Sequence, residues 1–211
     1  MQFRFVIIPL FLGASLCPAG TPSSKRNPSD VYSRSIQVLG GVVADPKLFP
    51  ETVPGFQAFL AASGVNSLKA DDLIRPNHPG IAARFGFVHF LPPRSWWPRG
   101  ASLALLVQHL EGNTKGRIHV RNWWRPAAYN SDPTVGGASN GDHPTANAFD
   151  IDYSSIADRV QAERFLRALD RRCPWMGLSM GLGAQTTHVG IGSPRGHREW
   201  HYAGWTPARN G

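Results

Sequence analysis

The order in which helical and extended patterns follow one another constrains this chain most. Leu103, Leu106, Val107 and Leu110 recur at helical spacing, so Ala101 to Leu110 reads as an amphipathic helix closed by Gly112-Asn113. Arg117 to Trp123 alternates apolar Ile118 and Val120 with polar neighbours, and Phe149 to Tyr153 is short and interleaves Phe149, Ile151 and Tyr153 with Asp150 and Asp152, so both read as strands. Ser155 to Arg172 follows as a helix with Ile156, Val160, Leu166 and Leu169 on its buried face. Ser155 and Asp158 stand at capping-box spacing, Arg171 and Arg172 suit the dipole of the last turn, and Pro174 stops the helix. Gly181 to Gly183 reads as a turn, Thr186 to Ile191 as a strand, and Arg198 to Tyr202 as a further short strand. Upstream, Phe56, Phe59 and Leu60 mark a helix within Gly55 to Val65. Lys69 to Ile74 and Ile81 to Phe85 read as short helices, and Phe87 to Leu91 as a strand. Such interleaving predicts an α+β fold: a single domain with a mainly antiparallel sheet packed by helices.

The chain has 211 residues, enough for one domain and a leader, and its 42% hydrophobic content supports a real core. Residues 1–19 read as a signal peptide: Arg4, then an apolar run from Phe5 to Leu16 too short to span a bilayer, then the small Ala19 as a cleavage point. Residues 20–50 are rich in Ser, Pro and polar groups and read as a linker or flexible arm, leaving 51–211 as the domain. The expectation is a protein secreted or held in the periplasm or cell envelope, with no membrane span after leader removal, and monomeric. The net charge of +8 favours an anionic environment, but the arginines are scattered and do not predict a specific nucleic-acid site. Two cysteines are too few for a cysteine-rich zinc site.

The segment Gly136-Gly-Ala-Ser-Asn-Gly-Asp-His-Pro-Thr-Ala-Asn-Ala-Phe-Asp150 carries the chemistry. Imidazole nitrogen and carboxylate oxygen are two of the ligand types that zinc accepts, and small residues at Ala146 and Ala148 let backbone fold close to an ion. His143 and Asp150 are therefore candidate metal ligands, with His188, His197 and His201 downstream to complete a set of three. A catalytic zinc site uses three protein ligands and leaves one position open.

In order and spacing, these residues resemble the M15 zinc peptidases, which include D-Ala-D-Ala carboxypeptidases and phage endolysins and share their fold with the hedgehog signalling domain. The family pattern runs Tyr-Arg-Ser-x-x-Tyr-Asn, then Gly-Gly-Ala, then Ser-x-His-x-x-Gly-x-Ala-x-Asp. Arg125, Tyr129, Asn130, Gly136, Gly137, Ala138, His143, Ala148 and Asp150 match it, while Gly141 stands for the usual Ser and Ala146 for the usual Gly. The matching motifs lie between about Trp124 and Trp205. The resemblance implies one bound Zn2+ and hydrolysis of peptide bonds in peptidoglycan stem peptides or cross-links.

It also offers two places for the third ligand. In one branch a Gly-rich turn precedes Phe-Val-His-x-Asp-x-Gly, which Gly181 to Gly192 resembles through His188, with Gly190 where that branch often has Asp. In another the motif is Glu-Pro-Trp-His, which Glu199-Trp200-His201 resembles with the Glu shifted by one residue. His188 is the favoured ligand, because it sits within an expected strand, and His201 the alternative. Glu199 is the candidate general base and Arg125 the candidate group for holding a substrate carbonyl or carboxylate. Asp152 shares a strand face with Asp150 and could stand behind the ligands. A non-hydrolytic alternative is a metal-stabilised cell-wall-binding domain of the same fold.

Overall fold

The computed structural model describes residues 28–116, 118–138 and 140–207. The leader expected over 1–19 lies outside these residues. In chain order the helices are α1 (Pro28–Val38), α2 (Val53–Ala62), α3 (Ala70–Ile74), α4 (Pro79–Arg84), α5 (Trp97–Asn113), α6 (Ala127–Asn130) and α7 (Ile156–Arg172). The strands are β1 (Ile118–Asn122), β2 (Ala148–Tyr153), β3 (Ser179–Leu182), β4 (Thr186–Gly190) and β5 (Arg198–His201). They form one sheet in the order β1-β2-β4-β3-β5. Every neighbouring pair is antiparallel except β3 with β5, so the α+β expectation and the mainly antiparallel sheet both hold.

The two faces of the sheet differ because side chains alternate along each strand. On β2, Phe149, Ile151 and Tyr153 are buried in the main core, while Asp150 and Asp152 are less buried on the other face. Helix α5 lies at the centre of the core. The sequence pattern predicts one apolar stripe there, yet Ala101, Leu103, Ala104, Leu105, Leu106 and Val107 are all buried, because α1, α7 and β1 pack around it. Ser155 caps α7 by accepting from the Asp158 N–H. The Asp158 carboxylate accepts from the Ser155 hydroxyl and from the Lys115 and Gly116 N–H groups, so the cap also ties down the loop after α5.

Three expectations need correction. The segment 20–50 is not all linker: α1 buries Tyr32 and Ile36, and Leu39 just after it, in the main core. Phe87 to Leu91 is not a strand; Phe90 donates its N–H to the Ile74 carbonyl at 2.7 Å and packs edge-on against Tyr129 at 4.6 Å. The turn expected at Gly181 lies later, because Gly181 is inside β3.

Candidate metal centre

Register places the ligands. Asp150 of β2 pairs directly with His188 of β4, so both side chains leave the same face side by side. His143 arrives from the preceding loop, on a short 3-10 turn (His143–Thr145). That loop is braced from the end of β1. The Arg125 N–H donates to the His143 carbonyl (3.2 Å), Trp124 Nε1 to the Pro144 carbonyl (3.2 Å) and Trp123 Nε1 to the Ala146 carbonyl (3.0 Å). Asn130 Nδ2 donates to the Ala138 carbonyl at 2.9 Å, and a Cβ on Gly137 would lie 2.0 Å from Asn130 Oδ1. The Asn130 and Gly137 of the motif thus hold the loop rather than a ligand.

His143, Asp150 and His188 each offer one ligand atom, all within 4.8 Å of one another. His143 Nε2 lies 3.0 Å from Asp150 Oδ1, and His188 Nδ1 lies 3.1 Å from the same oxygen. Tetrahedral ligands 2.0–2.1 Å from an ion stand about 3.3 Å apart, so the group has the right dimensions for a small cation.

Electrostatics point the same way. His143 Nδ1–H donates to the Trp123 carbonyl at 2.7 Å, which leaves a lone pair on Nε2. Nε2 is buried and makes no hydrogen bond, although a carboxylate oxygen stands beside it. Burial lowers the His143 pKa, against the nearby Asp150 carboxylate, which raises it. Burial alone would raise the Asp150 pKa, but His143 and His188 hold it well below the usual carboxylate range. For His188, burial lowers the pKa, and hydrogen bonds to Asp142 and Asp150 outweigh that and raise it. The group therefore needs positive charge at its centre. A divalent cation held among the three groups meets that need. The chemistry of the donor set fits a metal.

Arg125 is nearly buried, and its guanidinium donates to Asp150 Oδ2 at 3.0 Å, so it orients a ligand. Its Nε is buried without a partner, and the side chain lines the cleft in front of the ligands. Asn122 Nδ2 reaches the same Asp150 oxygen at 3.4 Å. Trp200 walls the cleft beside His188, with ring centroids 5.2 Å apart. Opposite it in register stands Gly181, where a Cβ would lie 2.5 Å from the indole. Tyr202 and Arg195 complete the rim.

Glu199 and His201 are not brought to the ligands. On β5, Arg198 and Trp200 face the site, and alternation turns Glu199 and His201 towards α7. Glu199 borders the cleft, but its carboxylate accepts from Arg167 Nη2 at 2.8 Å and Nε at 3.2 Å. His201 is 44% exposed, stacks on Trp205 at 3.6 Å and lies 3.3 Å from Glu199. His197 is exposed and pairs with Asp170. Asp152 stands 3.7 Å from Arg121 rather than behind the ligands.

The residue that sequence reasoning missed is Asp142. It is 0% exposed and accepts from His188 Nε2 (3.1 Å), Ser179 Oγ (2.7 Å), Ser193 Oγ (2.7 Å) and Arg198 Nη2 (2.9 Å). Its place directly before His143 was the only signal in the sequence.

Searches against family models, characterised proteins and solved structures return no match.

Proposed function

We propose that the chain is a zinc-dependent peptidase acting on peptidoglycan peptides, exported and monomeric. The observation that carries this reading is the His143-Asp150-His188 group, which lies at the base of an open cleft with donor groups around it. Two imidazoles and one carboxylate suit zinc, with a position left for water. A zinc ion held there would supply an acidified water and a Lewis acid for the scissile carbonyl. Arg125 lines the cleft and brings a fixed positive charge to a substrate carbonyl or carboxylate while its Nη2 holds Asp150. Tyr202 stands at the rim, where its hydroxyl is a hydrogen-bond donor. The resemblance of the Arg125 to Asp150 motifs supplies the peptidoglycan part of the reading, and the positive net charge suits an acidic wall.

One observation favours a second reading. Of the carboxylates that line the cleft among the described residues, Asp150 faces both histidines, Asp142 is buried among four donors and Glu199 is paired with Arg167. A chain without a freed base would be a metal-stabilised wall-binding domain. Metal content by elemental analysis, with peptide release from purified peptidoglycan in the presence and absence of chelator, tests both readings. Stoichiometric zinc with chelator-sensitive release is expected. Zinc without release selects the binding domain, and absence of zinc overturns both.

A further inference from the structure

Asp142 has the features of a built site component with no part yet in the chemistry. A carboxylate with no exposed surface is costly unless its lone pairs are filled. Here they are filled by two hydroxyls, a guanidinium and one imidazole, drawn from β3, β4, β5 and the loop between β4 and β5. The chain has made room for it. A Cβ on Gly190 would lie 2.3 Å from Ser179 Oγ, 3.1 Å from the Asn147 carbonyl and 3.3 Å from Asp142 Oδ2. Gly190 is two residues along β4 from His188, on the same strand face, and its absent side chain leaves the space that the Ser179 hydroxyl occupies as it donates to Asp142. The Asp142 carbonyl also accepts from the Asn147 N–H at 2.9 Å, which anchors the backbone that carries it.

The consequence falls on His188. Its two ring nitrogens face two different carboxylates, Nδ1 towards Asp150 and Nε2 towards Asp142. An acceptor at Nε2 keeps the proton there and leaves Nδ1 to point at the ligand group. Without that acceptor the ring is free to hold its proton on Nδ1, donate it to Asp150 and withdraw from metal binding. Arg198 and the two serines fix the Asp142 carboxylate in place through three hydrogen bonds.

We propose that Asp142 is the positioning residue of the metal centre, fixing the tautomer and orientation of His188, and that Gly190 is required to admit the Ser179 hydroxyl that holds its carboxylate. This rests on the metal reading above. Asp142→Asn keeps the size of the side chain but loses the charge, and it is expected to weaken zinc binding about 10- to 100-fold. The measurement is zinc competition against a chromophoric chelator on the folded protein, well below its melting temperature, so that a purely structural role does not register. Gly190→Ala is expected to weaken zinc in the same direction by pushing the Ser179 hydroxyl away from the carboxylate. A second measurement does not need either variant to fold. In the zinc-loaded wild-type protein, 15N spectra should show His188 protonated at Nε2. Zinc affinity unchanged in Asp142→Asn, or a His188 proton on Nδ1, overturns the proposal while leaving zinc binding intact. A wild-type chain that binds no zinc overturns the metal reading itself.

Discussion

Ala146 lies between two of the ligands with φ 56°, the one described non-glycine residue in the left-handed region. A side chain there costs about 1 kcal/mol, and the resembling family has Gly at that place. Ala146→Gly is therefore expected to raise stability by up to about 1 kcal/mol, less what the buried methyl contributes, with zinc content unchanged in a thermal melt and metal assay. The ligands behave differently. His143→Ala, Asp150→Ala and His188→Ala should each lose zinc, whereas His201→Ala should keep it, because His201 stacks on Trp205 away from the group. Zinc retained in His188→Ala would return the third place to His201. Proton linkage gives a separate check. Burial lowers the His188 pKa, but the hydrogen bonds to Asp142 and Asp150 outweigh it, so zinc competes with the second ring proton up to a higher pH than at an ordinary histidine. Calorimetry in two buffers of different ionisation enthalpy should show proton release on zinc binding, growing as pH falls towards the range where His188 is fully protonated. At this scale His143 and Asp150 were legible because the chemistry and the spacing are local. Asp142 was not, because its partners are 37 to 56 residues away and meet it only in the folded sheet.

Strands and helices were legible where their period ran long enough. The α7 pattern runs over 17 residues with a cap at each end, and the structure keeps those boundaries, although Ile156, expected on the buried face, is 52% exposed because it sits in the first turn. The β3 strand was hidden because Gly181 interrupts it, and glycine normally weakens a strand. Its reason is tertiary: Gly181 lets the Trp200 indole lie across β3 and reach His188. Gly181→Ala is expected to destabilise by about 1–3 kcal/mol through overpacking and to displace Trp200, read as a change in its fluorescence. The same alternation on β5 decides Glu199. Its pair with Arg167 is part-exposed and worth at most about 1 kcal/mol, so Glu199→Gln should barely shift the melting temperature. A hundredfold loss of turnover in that variant would mean that Glu199 leaves Arg167 to serve as base, and unchanged turnover would remove it from the chemistry.

At the scale of the whole molecule, the N-terminal arm belongs to the fold and to the site. Tyr32, Ile36 and Leu39 show the i, i+4, i+7 spacing of a buried helix face, but Ser33, Arg34, Ser35 and Gln37 between them keep the segment polar enough to pass for linker. The Tyr32 hydroxyl donates to Asn147 Oδ1 at 2.7 Å, and Arg99 Nη1 reaches the same oxygen at 3.0 Å. Asn147 stands between His143 and Asp150 in the chain, so α1 braces the loop that carries the ligands. Removing the three apolar side chains forfeits about 1.5–3 kcal/mol each. That total is comparable with the entire margin of a typical domain, about 5–15 kcal/mol. A chain beginning at Glu51, the boundary expected from composition, is therefore predicted to be largely unfolded without metal. Zinc at about 100 times its dissociation constant adds only about 2.7 kcal/mol, too little to restore it. Circular dichroism melts of the truncated and full chains, with and without zinc, check this. A truncated chain that melts cooperatively within a few degrees of the full one would show that α1 merely rests on a core complete without it.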